Sequence, residues 1–252
     1  MKTWGLFGRA RILSSEGARL YAIGDVHGCY DALVSLFARI QEDNAQRSKV
    51  ETHIVMLGDY IDRGPQSAQV CELLYSLRAS GHFHCLMGNH EQSMIESVEG
   101  NLESLRLWLQ YGGVETLASW NVPAHLIAPV QSGERDGHAL VADMADKIPR
   151  EIMDWMTALP THWSLGDYMF VHAGVRPKVP LDEQDDQDLL WIREAFLKSK
   201  ANHGKMIVHG HSVTDEPEIK TNRIGIDTGA YRTGILTAVG IEDDAQWIVQ
   251  SG

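Results

Sequence analysis

One arrangement constrains this chain more than any other: three times before residue 92, an apolar run ends in glycine followed by side chains that carry charge or donate ligand atoms. Residues 20 to 23 lead into Gly24-Asp25-Val26-His27-Gly28, residues 53 to 57 into Gly58-Asp59-Tyr60-Ile61-Asp62-Arg63-Gly64, and residues 82 to 87 into Gly88-Asn89-His90-Glu91. After each run, apolar residues recur at helical spacing. Leu33, Leu36, Phe37 and Ile40 predict a helix over 30 to 41, Val70, Leu73, Leu74 and Leu77 a second, and residues 92 to 98 a third. Strand, charged loop and helix in repetition is an α/β pattern. It gathers the three loops at the C-terminal edge of a sheet, where open α/β sheets bind their ligands.

Any one of these loops could be an ordinary solvated turn, since Asp, Gly and Pro favour turns. The rest of the chain argues against that. Two later apolar runs end in Val171-His172-Ala173-Gly174 and Val208-His209-Gly210-His211-Ser212. Five strand ends, each delivering Asp, Asn or His beside a glycine, are hard to explain as unrelated turns. Asp25 and His27, two apart, fall on one side of extended chain and can grip one cation together. Mixed carboxylate, amide and imidazole donors suit manganese, iron or zinc, and the scarcity of nearby thiolates argues against a closed structural zinc site. There are enough donors for two ions.

Between residues 101 and 160 the pattern turns helical, with Leu102, Leu105, Trp108 and Leu109 in one piece and Ile152, Trp155, Met156 and Leu159 in another. This reads as a helical insert beside the site, its tryptophans Trp108, Trp120 and Trp155, with Trp163 just beyond, serving as core and lid packing. Strands return at residues 168 to 171, 206 to 208, 223 to 226, 234 to 239 and 247 to 249, several without long helices between them, which predicts a second, mixed or antiparallel sheet. With no internal repeat or linker, residues 1 to 252 read as a single domain.

The net charge of -12 argues against tight nonspecific nucleic-acid binding. Residues 181 to 188 carry part of that charge and read as a solvated loop that could bias substrates toward basic flanks. Three cysteines, Cys29, Cys71 and Cys85, make no disulfide framework. Residues 1 to 17 lack the apolar core of a signal peptide, and no run of eighteen apolar residues occurs. A cytoplasmic protein with no membrane association is expected.

GDVHG at 24 to 28, GDYIDRG at 58 to 64 and GNHE at 88 to 91, followed by VHAG and GHS, resemble the calcineurin-like metallophosphoesterases. More narrowly they resemble the PPP-type serine/threonine protein phosphatases, including the small bacterial enzymes and that of bacteriophage lambda. The resemblance runs from about residue 21 to residue 231, the insert lying outside it. It implies an α/β sandwich of two mixed β-sheets flanked by helices, and a pair of divalent ions, manganese first, with iron or zinc as alternatives. Asp25 and His27 would hold the first ion, Asp59 would bridge both, and Asn89, His172 and His211 would hold the second, with Asn89 also within reach of substrate. Asp62 would orient His90 as the catalytic acid, and Arg63 and Arg193 would take the phosphate oxygens. His211 is preferred to His209 because it occupies the histidine of the family's Gly-His-Thr-like motif, with Ser212 in place of the threonine.

These roles are chemically coherent: two ions can turn water into hydroxide near neutral pH and clamp phosphoryl oxygens, and a carboxylate-held imidazole can protonate a leaving alkoxide. The expected activity is hydrolysis of phosphomonoesters, phosphoserine or phosphothreonine in proteins foremost. Alternatives are a symmetrical dinucleoside tetraphosphate hydrolase, which the Gly28-Cys29-Tyr30-Asp31 continuation resembles, and an RNA 5'-end phosphatase. The tetraphosphatases typically have a non-acidic residue where Asp62 stands and Asp where Glu91 stands, which favours the protein phosphatase. A noncatalytic phosphate-binding module is disfavoured, because every ligand and the Asp62 and His90 pair are present.

Overall fold

A computed structural model describes residues 13 to 252; most of the segment read above for a signal peptide lies outside the described residues. Strand β1 (Arg19–Ile23) leads to helix α1 (Tyr30–Ala45), β2 (Thr52–Met56) to α2 (Ser67–Leu77), and β3 (Phe83–Cys85) to α3 (Asn89–Val98). The insert supplies α4 (Leu102–Trp108), a π-helical turn at Leu109–Gly113, α5 (Val114–Ser119), α6 (Ala124–Gln131), α7 (His138–Lys147) and α8 (Arg150–Thr157). Then come β4 (His162–Leu165), β5 (Tyr168–Val171), α9 (Asp186–Trp191), α10 (Glu194–Leu197), β6 (Met206–His209), β7 (Glu218–Ile219), β8 (Arg223–Gly225), α11 (Ala230–Thr233), β9 (Thr237–Glu242) and β10 (Ala245–Gln250).

Two five-stranded mixed sheets result, in the orders β10-β9-β1-β2-β3 and β4-β5-β6-β8-β7. They stack because alternate residues of their strands are apolar on both faces. Leu20, Ala22, Val55, Tyr168, Phe170, Val208 and Ile224 fill the space between the sheets. Their neighbours point outward: Tyr21, Ile23 and Met56 pack with Leu33, Leu36 and Leu74 of α1 and α2, and Met169, Val171 and Ile207 pack with Leu189 and Phe196. The result is the expected sandwich of two mixed sheets flanked by helices.

Strands β1, β2 and β3 are parallel, as are β5 and β6, so the charged loops after them leave on common edges. Pairing departs from expectation at the C-terminus. The last two strands join the first sheet: β9 runs antiparallel to β1, with Arg19 opposite Glu242 and Ile23 opposite Ala238, and β10 folds back on it across Asp243 and Asp244. Asp243 takes a φ of 50°, the left-handed conformation that two-residue hairpins favour. Sheet membership is decided by partners, which periodicity cannot see. The edge strands β4 and β7 go unpredicted because they are short and half-exposed and carry no apolar run.

The acidic run is solvated as expected at Asp182, Glu183, Asp185 and Asp186, but it is not a plain loop. Asp185 caps α9 by accepting the Gln187 N–H at 2.7 Å, Asp186 and Asp188 sit in the helix's first turn, and the buried Asp188 pairs with Arg176. Carboxylates here stabilise a helix N-terminus, whose unpaired N–H groups and dipole favour negative charge. They build the helix that carries Trp191 and leads into Arg193.

Candidate metal centre and catalytic site

The five loops converge. Asp59, after β2, sits with one carboxylate oxygen toward each of two groups of donors. On the Oδ2 side lie His27 Nε2 at 3.6 Å and His90 Nε2 at 3.8 Å; on the Oδ1 side lies His172 Nε2 at 3.4 Å. His172 Nε2 is in turn 2.8 Å from Asn89 Oδ1 and 3.1 Å from His211 Nδ1. Asp25, after β1, holds the loop of His211 by accepting its backbone N–H at 3.0 and 3.1 Å. All of these residues are buried.

Second partners fix which ring nitrogens carry lone pairs. His172 Nδ1 lies 2.9 Å from the Leu57 carbonyl and His27 Nδ1 lies 2.8 Å from the Ile61 carbonyl. A carbonyl only accepts, so each ring donates from Nδ1 and turns an unprotonated Nε2 toward Asp59. On the Oδ1 side, His172 Nε2, Asn89 Oδ1 and Asp59 Oδ1 therefore present lone pairs to one another, and the buried Nε2 of His211 has no hydrogen-bond partner. Converging acceptors repel unless a cation lies among them. Burial pushes His27 down to about 3 and His211 down to about 2, which keeps both rings neutral as ligands require. Burial also opposes the Asp59 charge, but positive charge placed at the imidazoles of His172, His90, His27 and His211 outweighs it and holds that carboxyl well below its ordinary range. These residues fit two divalent ions sharing Asp59.

The glycines serve close approach. A Cβ on Gly88 would lie 2.2 Å from Asp59 Oδ1, and one on Gly210 would lie 2.0 Å from Asp25 Oδ1. Any other residue at either position would displace a carboxylate. Five site residues, His27, Asp59, Asp62, Arg63 and His211, adopt positive φ between 45° and 75°. Such backbone strain persists only where surrounding contacts over-determine it.

Those contacts include residues that the sequence reading left without a role. Glu91, fully buried in α3, accepts backbone N–H groups from Asp59 at 2.8 Å, Tyr60 at 2.8 Å and Gly88 at 2.9 Å, tying the loops after β2 and β3 together. Burial and the Asp59 charge push its carboxyl up to about 8, against the pull of those donors. Asp227, after β8, is buried with one carboxylate oxygen unpartnered. Burial first, and then the charges of Asp227 and Asp59, raise the Asp25 carboxyl well above its ordinary value, a repulsion that a cation would relieve. The signal for Asp227 was present in Ile226-Asp227-Thr228-Gly229, another strand end with Asp and Gly, but it has no histidine to mark it.

The insert turns out to build the site. Asp62 Oδ2 is 2.5 Å from His90 Nδ1 and also accepts the Trp108 indole N–H at 2.7 Å, while Asp62 Oδ1 accepts the Thr116 hydroxyl at 2.6 Å. The Arg63 N–H donates to the Gly112 carbonyl in the π-helical turn at 3.2 Å. Burial alone would lower the His90 pKa, but Asp59 and the Asp62 hydrogen bond prevail and raise it. Arg63 Nη2 lies 3.1 Å from His90 Nε2. His209, by contrast, faces away, with Nε2 3.3 Å from Arg223 Nη1 and its ring edge-on to Phe196.

Above this floor opens a cavity of about 430 Å³ lined by Asp59, Arg63, Asn89, His90, Arg193 and His211 below. Leu107, Tyr111 and Trp191 form its outer wall, 49%, 63% and 38% exposed. Trp191 is pinned by its indole N–H to Gln92 Oε1 at 2.7 Å.

Comparison with known proteins agrees with this geometry. The chain is 25% identical over 237 residues to the asymmetrical bis(5'-nucleosyl)-tetraphosphatase PrpE of Oceanobacillus iheyensis, covering 86% of each protein. It is 27% identical over 158 residues to the symmetrical bis(5'-nucleosyl)-tetraphosphatase of Dechloromonas aromatica, covering 63% of this chain and 44% of that protein. Its fold matches a crystal structure provisionally described as a diadenosine tetraphosphatase, with a TM-score of 0.64 at 19% identity over 94% of this chain and 96% of that one. The family model described as "Calcineurin-like phosphoesterase" matches residues 18–234, so this chain, insert included, belongs to that family of metal-dependent phosphoester hydrolases.

Proposed function

We propose that the protein hydrolyses dinucleoside polyphosphates of the tetraphosphate class, as one phosphoesterase domain whose helical insert completes the active site. The outer wall of the cavity carries this reading. Leu107, Tyr111 and Trp191 expose apolar and aromatic surface beside a floor built for phosphate, and a nucleobase is the part of such a substrate that stacks on aromatic rings. The two relatives named as bis(5'-nucleosyl)-tetraphosphatases support it.

In this reading Asp25, His27 and Asp59 hold one divalent ion, and Asp59, Asn89, His172 and His211 hold the other. When bound, the pair supplies positive charge that eases ionisation of water and neutralises phosphoryl oxygens. Arg63 and Arg193 offer planar forks to the remaining phosphate oxygens. Without substrate, Arg63 donates to His90 Nε2; a phosphate that draws Arg63 away frees that nitrogen to carry a proton. Asp62 holds the ring from behind through Nδ1 and favours its charged form.

That Asp62 and His90 pair favours a second reading, the phosphoprotein one. A seryl or threonyl alkoxide needs a proton as it leaves far more than a nucleotide phosphate does, and His90 is set to give one. Parallel measurement of kcat/KM on diadenosine tetraphosphate, a phosphoserine peptide and a 5'-triphosphorylated RNA decides between them. The tetraphosphate is expected to lead by about tenfold or more, matching the stacking energy of one base; a peptide or RNA in first place overturns the proposal.

A further inference from the structure

A second set of ligand-type side chains lies on the first sheet, at the ends of β2 and β3 away from the catalytic loops. Glu51 precedes β2 and His53 lies within it; His82 precedes β3 and His84 lies within it. Residues two apart on extended chain share a face. The parallel register sets Ile54 beside Phe83, which brings His53 beside His82 and places all four side chains on one face.

The distances are those of a site. His53 Nε2 is 3.0 Å and His82 Nδ1 is 3.4 Å from the same oxygen, Glu51 Oε1, and the three ligand atoms lie within 4.8 Å of one another. The His53 ring is held from behind: its Nδ1 is 3.0 Å from His84 Nε2, and His84 stacks on Trp163 at 4.0 Å between ring centroids. The His53 side chain is only 10% exposed, while Glu51 and His82 are 60% and 57% exposed, so the cluster is anchored on the sheet and open to water.

We propose that Glu51, His53 and His82 form a third divalent-metal site, selective for a zinc-class ion and separate from the catalytic pair. Two imidazoles and one carboxylate are a donor set for zinc, and the solvent side leaves a fourth position for water. A His53 ring that ligates through Nε2 carries its proton on Nδ1 and donates it to His84 Nε2, the orienting contact that metal-bound histidines characteristically make. Asp59 lies six residue steps beyond His53, which places the site roughly 15–20 Å from the catalytic centre at about 3.3 Å per extended residue. Its ion joins β2 to β3, the strands that carry Asp59 and His90.

Zinc titration by calorimetry tests this on the whole chain as wild type, the double variant Glu51→Gln/His82→Ala, and Asp59→Asn. Both residues of the double variant are mostly exposed, so it folds and hydrolyses phosphoesters as wild type does. It is expected to bind one zinc equivalent fewer, or to bind the last equivalent at least about tenfold more weakly, the size of effect that loss of a supporting contact already produces. Zinc should raise the melting temperature of Asp59→Asn, which keeps the sheet-edge ligands, and this rise should vanish when the double substitution is added. A double variant that binds zinc with wild-type stoichiometry and affinity, or an Asp59→Asn protein that zinc does not stabilise, overturns the proposal without bearing on the catalytic reading.

Discussion

Asp62, in the loop after β2, and His90, in the first turn of α3, meet at 2.5 Å, carboxylate Oδ2 to ring Nδ1, and the same oxygen takes the indole N–H of Trp108. Asp62 is therefore a positioning residue held from the insert, one contact removed from the donors around Asp59.

Replacing Asp62 by Asn should leave both divalent ions in place and lower kcat by roughly a hundredfold on substrates whose leaving group needs a proton. The loss should be smaller on p-nitrophenyl phosphate, whose leaving group is weakly basic. Metal analysis beside steady-state kinetics checks this. An Asn variant that has shed its metals would mean Asp62 belongs to the ligand set instead.

Trp191→Ala and Tyr111→Ala should each raise KM for diadenosine tetraphosphate about tenfold, since a stacked base contributes roughly 1–3 kcal/mol. Neither should alter turnover of p-nitrophenyl phosphate, which has no base to place against the cavity's outer wall. Equal losses on both substrates would assign these side chains to packing.

Glu91→Ala should cost roughly 2–4 kcal/mol of stability and reduce metal content together. Alanine leaves the backbone N–H groups of Asp59, Tyr60 and Gly88 buried without the acceptor that Glu91 gives them. Urea denaturation of the metal-free proteins, followed by metal titration, separates the two effects; unchanged stability would remove Glu91 from the role of loop tie.

Asp43 gives a stability prediction far from the site. Its carboxylate accepts from the Tyr21 hydroxyl at 2.5 Å, Arg47 at 2.9 and 3.0 Å and the Trp247 indole at 2.9 Å. Partial burial opposes the charge, but these donors prevail and lower the pKa. A carboxyl whose folded pKa lies below its unfolded value of about 3.9 stabilises fully above that value, and the contribution is lost as pH falls through the folded pKa. Asp43→Ala should therefore cost roughly 2–3 kcal/mol at pH 7, with the gap from wild type narrowing below pH 4. Denaturant melts at pH 7 and pH 3 test it, and a gap that widens in acid would reverse the assignment.

The sequence by itself determined the strand, loop and helix repeat of the first half and the residue types that meet around Asp59. Hydrophobic period and glycine-flanked Asp and His are local signals, and local signals survive in one dimension. Tertiary structure decided the rest. Strands β9 and β10 read as part of a second sheet until β9 pairs with β1 and β10 with β9, and residues 181 to 188 read as a loop until Asp185 caps a helix and Asp188 finds Arg176. Trp108 reads as insert packing, and Thr116, Glu91 and Asp227 carry no role in the sequence, because Trp108, Thr116 and Glu91 act through partners tens of residues away and Asp227 has no histidine beside it to mark it. What a polar side chain does is set by which unpaired atom it faces once water is excluded, and that facing exists only after the loops have closed on one another.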